Sequence, residues 1–269
     1  MSVDALIDRI LARVPGKYSA TTRFGAVFPD CGFADFLTRR LILFGTWEPS
    51  LTEFFSRRLR PGDIFVDIGA NIGYHTLLAS KLVGPDGRVL AYEASPTIFA
   101  ALARNIEFNG ATNVKAANIA VGSQRGIVHT YLAPKGNRGL TTLNPRHGFV
   151  REEESVAMGP IDELLAGEDL KRVRLIKIDV EGNESAVLAP LAGMIDRLSP
   201  EAEIALELWP DCASAVEPFQ RAGFNLYLVE NRYDLGLYWR RRIEAPRRMT
   251  GVAQGKCDVI LSRTESERL

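Results

Sequence analysis

The sequence predicts a parallel, doubly wound α/β sheet, and three observations carry that prediction. Strand-length apolar runs alternate with helix-length segments from residue 63 onward. The first run, Ile64-Phe-Val-Asp-Ile68, is apolar enough for a central strand covered on both faces. It leads through Gly69-Ala-Asn-Ile-Gly73 into a helix starting at Tyr74, and such a turn lets backbone N–H groups approach a ligand. Ligands of these sheets bind at the carboxyl ends of the strands, which sets Asp67, Glu93, Asn118 and Asp179 along one rim.

Composition narrows the class. A chain of 269 residues, 46% hydrophobic and 25% charged, suits one large domain or one domain with an extension. The expected division is an N-terminal extension or lid over 1–60 and a main domain over 61–269. Lys+Arg and Asp+Glu both number 33, so no bulk positive field is available for nucleic acid. Cys31, Cys212 and Cys257 form no C-x-x-C pair and read as reduced thiols of a cytoplasmic protein. His75, His129 and His147 are too scattered for a zinc site, and no metal is expected. The Met-Ser-Val-Asp start is not a basic signal-peptide start, and no run of 18 apolar residues is long enough to span a membrane.

Along the chain, Val3, Leu6, Ile7, Ile10, Leu11 and Val14 recur at helical spacing before Pro15-Gly16. This short amphipathic helix is expected to pack on the body; a membrane surface or a second copy are its other uses. Residues 18–60 are rich in aromatics, with a turn at Gly45-Thr-Trp-Glu-Pro49 and a helix over 51–59. They read either as a hydrophobic cover on the sheet edge or as a lid, with Trp47 and Glu48 facing the bound ligand. Pro61-Gly-Asp63 is turn chemistry before the central strand. The next strand is Arg88–Glu93, and Ser95-Pro96 caps a helix running to Asn109-Gly110. The third strand, Val114–Asn118, ends in an amide that either meets an adenine edge or bonds its own backbone.

Residues 127–132 and 155–158 are expected to pair as extra strands. Between them, 134–150 is rich in Gly, Pro and Asn and reads as a mobile loop on the substrate side. It holds Arg138 and His147; a lone loop histidine is ordinarily solvated, and catalysis is its alternative. A short helix over 161–165 precedes a buried strand over 173–180, then Glu181-Gly-Asn-Glu184 and another helix. A strand over 203–209, a helix over 213–222, and strands over 225–230 and Cys257–Ser262 complete the sheet. The basic stretch 240–248 reads as a solvated loop, or as a grip on an acidic or phosphorylated substrate.

The ligand follows from Asp67. The turn is Asp-x-Gly-x-Asn-x-Gly, not the G-x-G-x-x-G of dinucleotide proteins. An anion aimed into the turn repels a pyrophosphate and suits a ligand carrying an ammonium and a sulfonium, namely S-adenosylmethionine. Glu93 can accept two hydrogen bonds from ribose hydroxyls, a device also used for NAD. The competing reading is a Gly-rich turn that binds nothing.

Three stretches together resemble the FkbM-type methyltransferases: Phe65-Val-Asp-Ile-Gly-Ala-Asn-Ile-Gly-Tyr74, Ala91-Tyr-Glu-Ala-Ser-Pro96 and Leu175-Ile-Lys-Ile-Asp-Val-Glu-Gly-Asn-Glu184. The third is the distinguishing one; Gly45–Pro49 also looks like the family's lead-in. The resemblance covers about residues 45–210. It implies the Rossmann-like seven-stranded sheet of class I methyltransferases, its last strand antiparallel. It also implies methyl transfer from S-adenosylmethionine to a hydroxyl oxygen. By position, Asp67, Gly69, Asn71, Gly73 and Glu93 would hold the cofactor, and Asp179 and Glu181 would lie at the methyl group. Tyr74, Ser95 and Asn118 are counted with the cofactor residues. Asn183 stands where a small or apolar residue is more usual and Pro190 where glycine is common, departures that touch packing more than chemistry. Residues 1–44 and 211–269 are expected to set substrate choice.

Methyl transfer is an in-line displacement on a sulfonium. Alignment can supply up to ~7–11 kcal/mol and a positioned base roughly 10²–10⁴-fold. Asp179 is the best-placed base and Glu181 the second; Lys177 shares Asp179's face because strand side chains alternate. Glu184 is the acid expected to cap the next helix. The expected acceptor is a hydroxyl on a small molecule or glycan. A nicotinamide-dependent oxidoreductase is the runner-up on fold alone, and a non-catalytic binding protein is the third class.

Overall fold

The computed structural model describes residues 3–133, 141, 143, 151–209, 212–239, 243–249 and 255–269. The N-terminal segment forms α1 (Val3–Leu11), a hairpin of β1 (Tyr18–Thr21) and β2 (Val27–Cys31), α2 (Phe36–Phe44) and α3 (Pro49–Arg58). The sequence gives the first and last of these helices but not the hairpin or α2. The hairpin strands are four and five residues long and mix Ser, Thr, Pro and Asp with apolar residues, so no two-residue period stands out. Helix α2 starts at Asp35, whose carboxylate accepts the Thr38 N–H at 3.0 Å, and stops at Gly45 in the left-handed region. Asp8 of α1 receives Arg39 and the fully buried Arg40 at 2.8–3.0 Å, fastening α1 to α2.

Strand and helix then alternate through β3 (Ile64–Ile68), α4 (Tyr74–Val83), β4 (Arg88–Glu93), α5 (Pro96–Phe108) and β5 (Val114–Asn118). A small sheet follows, made of β6 (Ala120–Gly122), β7 (Gly126–Leu132) and β8 (Arg151–Pro160) in the order β6-β8-β7. The pairing expected of 127–132 with 155–158 is present, with Ile127 opposite Ala157 and Val128 opposite Val156. Next come α6 (Ile161–Leu164), β9 (Val173–Ile178), α7 (Glu184–Ala192), β10 (Glu203–Leu208), α8 (Ala213–Arg221), β11 (Asn225–Val229), α9 (Leu235–Trp239), β12 (Arg247–Arg248) and β13 (Cys257–Ser262). Arg138, His147, Pro210, Asp211 and residues 240–242 lie outside the described residues.

The main sheet runs β12-β11-β13-β10-β9-β3-β4-β5, with β13 antiparallel to both its neighbours. Seven of these strands, with β13 the reversed one, are the expected class I methyltransferase sheet. The eighth, β12, corrects the strand count: it is two residues long and pairs antiparallel at the edge beside β11. Strand order reverses between β3 and β9, so the crevice for a ligand lies at their carboxyl ends.

Both faces of the sheet are covered, as the apolar runs require. Ile64, Val66 and Ile68 meet Ile176, Ile178, Val187 and Leu188 on one face. On the other, Phe65, Leu175, Ala205 and Ile260 pack against Leu78, Ala79 and Val83 of α4 and Leu51, Phe54 and Phe55 of α3. Helix α3 therefore covers a sheet face rather than an edge, and the N-terminal segment contributes to the same core.

Candidate active site

Two cavities open at the carboxyl-end rim, and Gly69, Asn71, Asp179 and Glu181 belong to both. The first lies over the tips of β4 and β5, among Tyr92, Glu93, Ile98, Ile119 and Val121, with Thr141 and Leu143 from the segment expected on the substrate side. Its polar anchor is Glu93. One carboxylate oxygen accepts the Asn71 N–H and the other the Ser95 N–H, both at 2.9 Å. Burial pushes the Glu93 pKa up to about 7 in spite of those two bonds. Each oxygen retains a lone pair for a further donor, which fits a ribose hydroxyl.

The glycine turn is shaped by close approach. A Cβ on Gly69 would sit 1.8 Å from the Asp179 carbonyl oxygen, so glycine lets the tips of β3 and β9 meet. Asn71 takes a left-handed φ of 51° and accepts the Ile72 N–H at 2.8 Å through its own side chain. Gly73 starts α4, and a Cβ there would lie 2.6 Å from Leu102 of α5; it lines neither cavity.

Three other expected cofactor residues stand behind the cavity walls. Asp67 is fully buried, accepts the Thr76 hydroxyl at 2.6 Å and lies 3.6 Å from the Lys177 ammonium. Burial raises its pKa. Asn118 donates to the carbonyls of Glu93 and Ala94, both at 2.8 Å, and so fastens the β4 tip. Ser95 caps α5 by accepting the Ile98 N–H. Tyr74 does line the second cavity, and its hydroxyl meets Thr46 at 3.0 Å and Thr52 at 3.2 Å, tying α4 to the N-terminal segment.

The second cavity reaches from the glycine turn across β9, β10 and β13. Five carboxylates face it, from Glu48, Asp179, Glu181, Glu207 and Asp258, with the two ammonium groups of Lys177 and Lys256. Lys177 lies 3.2 Å from Asp179 and 3.6 Å from Asp67. Burial pulls the lysine down, but Asp179, Asp67 and Glu48 together hold its pKa above the ordinary value. Lys256 sits 2.6 Å from Glu207 and 3.6 Å from Glu181. Oxygens of Asp179, Glu181 and Glu207 come within 4.8 Å of one another, a spacing that could hold a cation. Lys256 already sets its charge against two of the three. Glu181 has a left-handed φ of 49°, and burial, with Asp179 and Glu207 nearby, pushes its pKa to about 8. Glu184 is the first residue of α7 and does not cap it as expected: it turns back to accept the N–H groups of Gly182 and Val180, bracing the turn before the helix, while Asn183 at the N-cap makes no side-chain capping bond.

From the N-terminal segment, Phe36, Leu37, Trp47, Glu48 and Leu51 line this cavity, so Trp47 and Glu48 do face the site. Trp47 stacks on Tyr233 at 5.2 Å. Glu48 accepts the Tyr233 hydroxyl at 2.8 Å through Oε1, and its Oε2 lies 3.8 Å from His75 Nε2. Burial first, then Asp179 and Asp258, pushes the Glu48 pKa to about 8, while burial and Lys177 hold His75 well below its usual value. Among the described residues, Glu48, Asn71 and Glu181 are the three non-glycine residues with left-handed φ, and all three line these cavities.

Sequence reasoning passed over His75, Tyr233, Lys256 and Asp258. Asp258 carries a usable signal: β13 runs backwards, so its first residues, not its last, reach the rim. Tyr233 follows β11 in the loop beyond that strand's carboxyl end, the side where ligands bind.

Comparison with known proteins gives a family for this sequence. The family profile described as Methyltransferase FkbM domain matches residues 67–226. "Methyltransferase 1" of Beauveria bassiana is 31% identical over 150 residues, covering 49% of this chain and 59% of that protein. The "31-O-demethyl-FK506 methyltransferase FkbM" of Streptomyces tacrolimicus is 28% identical over 158 residues, covering 49% and 60%. The chain thus spans about six-tenths of the length of these relatives. Among solved structures, a SAM-dependent O-methyltransferase from Thermotoga maritima aligns with a TM-score of 0.48 at 14% identity, covering 98% of this chain and 83% of that one.

Proposed function

The chain belongs to the FkbM methyltransferase domain family, and from that premise we propose that it transfers a methyl group from S-adenosylmethionine to a hydroxyl oxygen of a small molecule or glycan. The observation that carries the reading is the meeting of two unlike cavities at Gly69, Asn71, Asp179 and Glu181. The apolar one with Glu93 suits an adenosine, the ribose hydroxyls donating to the Glu93 carboxylate. The acidic one suits the ammonium and sulfonium of the methionine end and, beyond them, the acceptor. When bound, the cofactor supplies an electrophilic methyl on a sulfonium.

The residues of the chain then do the rest. Asp179 and Glu181, at the junction, border the reacting methyl and are the catalytic pair of this proposal. Asp67 acts from behind by holding Lys177 and α4. Phe36, Trp47 and Leu51 give this cavity an apolar wall, which lowers the local dielectric and strengthens the charge interactions beside it. An acid-rich wall does not receive a pyrophosphate, which weighs against the nicotinamide reading.

Calorimetry with S-adenosylhomocysteine and with NADH tests the cofactor: the first is expected to bind and the second not. Transfer from labelled S-adenosylmethionine into a panel of cell-extract glycans and lipids tests the acceptor. Label that resists mild base, as an ether does and an ester does not, supports O-methylation of a hydroxyl.

A further inference from the structure

We infer that Glu48 and His75 receive the acceptor's reacting hydroxyl and that Glu48 takes its proton. The inference rests on the methyl-transfer reading and adds a residue from outside the strand tips. Glu48 Oε2 and His75 Nε2 are both buried in residues only 5% and 4% exposed, and neither has a hydrogen-bond partner among the described residues. They lie 3.8 Å apart, too far to bond each other, and both residues line the acidic cavity. Buried polar atoms are nearly always paired, and an orphan calls for an explanation. Two orphans side by side in a cavity wall match a group that can donate to one and accept from the other. A hydroxyl does both.

The surroundings separate Glu48 from Asp179. Asp179 is already paired with Lys177 at 3.2 Å, whereas Glu48 spends one oxygen on Tyr233 and keeps the other open. A base whose pKa lies close to the working pH transfers protons best, and Glu48 is held at about 8. Its left-handed φ of 43° at the start of α3 fixes the direction of the side chain. In the step, the acceptor O–H gives its proton to Glu48 Oε2 and its oxygen forms the new O–CH₃ bond. The S–CH₃ bond breaks, its electron pair returns to sulfur, and the sulfonium becomes a neutral thioether. The charge lost from sulfur and the charge neutralised on Glu48 balance.

The groups facing Glu48 are His75 on α4, Lys177 and Asp179 at the end of β9, Asp258 on β13, and Tyr233 and Tyr238 beyond β11. Tyr233 lowers the Glu48 pKa by donating to it. The test combines three measurements. First, imidazole ¹⁵N spectra of the protein without cofactor are followed from pH 6 to 10, with His75→Gln for assignment. The His75 signal is expected to shift through a step near pH 8 that Glu48→Gln abolishes and Tyr233→Phe moves to higher pH. Second, single-turnover transfer from labelled S-adenosylmethionine into the cell-extract pool is expected to rise through the same pH. It should fall about 10²-fold in Glu48→Gln and less in Asp179→Asn. Third, S-adenosylhomocysteine affinity in Glu48→Gln is expected to stay within about 2-fold of wild type. A His75 signal without that step, or full turnover in Glu48→Gln beside a dead Asp179→Asn, overturns the inference. Tyr233→Phe is half-exposed and keeps the test informative if Glu48→Gln does not fold. Loss of S-adenosylhomocysteine binding in the wild type would instead defeat the methyltransferase reading, leaving the spectroscopic result standing.

Discussion

Glu93 and Glu48 are both glutamates buried in cavity walls, with pKa values raised to about 7 and about 8, yet they are held in opposite ways. Each oxygen of Glu93 accepts a backbone N–H, so the residue is part of the scaffold that shapes the glycine turn. One oxygen of Glu48 accepts a tyrosine hydroxyl and the other has no partner among the described residues. A carboxylate locked by backbone is suited to recognition, because its lone pairs point in fixed directions. A half-paired one is suited to proton transfer, because its protonation state is free to change at low structural cost. The two cavities divide along that line.

The largest effect should come from breaking the wall they share. Gly69→Ala drives a Cβ into the Asp179 carbonyl at a left-handed φ of 77°, and is expected to cost ~3 kcal/mol in urea unfolding. Unchanged stability would mean that the tips of β3 and β9 can separate freely.

Glu93→Ala comes next. It leaves the N–H groups of Asn71 and Ser95 without their acceptor. We expect S-adenosylhomocysteine affinity to fall roughly 10- to 100-fold by calorimetry, the equivalent of ~1.4–2.7 kcal/mol. Equal affinity in mutant and wild type would remove the ribose assignment.

A third prediction uses pH. Unfolded, Glu93 ionises near 4.5; folded, it does so near 7. Between those values the folded chain holds a proton that the unfolded chain has lost, so this group makes stability fall as pH rises through the window. The slope is at most ~1.4 kcal/mol per pH unit. His75 opposes it below pH 6.5, where the unfolded chain protonates and the buried ring stays neutral. Subtracting the Glu93→Gln melting curve from wild type at each pH should isolate the Glu93 contribution. A difference that does not change between pH 5 and pH 8 would count against the raised pKa.

The smallest effect should be that of chelation. Lys256 sets its charge against Glu181 and Glu207, so EDTA is expected to leave turnover within about 2-fold of its starting value. Activity lost to EDTA and restored by magnesium would recast Asp179, Glu181 and Glu207 as oxygen ligands.

The sequence by itself determined the parallel sheet, the turn after β3 and the acid at the tip of β4. Those features are local: an apolar run, a glycine pair and a strand-ending carboxylate are read within a few residues. It also determined the rim on which Asp179 and Glu181 lie, because parallel strands share one carboxyl edge. Only the tertiary structure decided which rim residues face the cavities. Asp67 turned inward, one oxygen accepting from Thr76 and the other 3.6 Å from the Lys177 ammonium, and Asn118 turned onto two carbonyls, because burial favours positions where a polar group meets a hydrogen bond or an opposite charge. Only the fold brought Glu48, His75, Tyr233 and Asp258 to one wall. They come from four elements separated by up to 210 positions in the chain. Nothing near Glu48 in sequence announces that packing will strip it of water and leave one oxygen unpaired. That outcome depends on α3 settling against the sheet, a contact set by long-range burial, while sequence patterns record short-range preference.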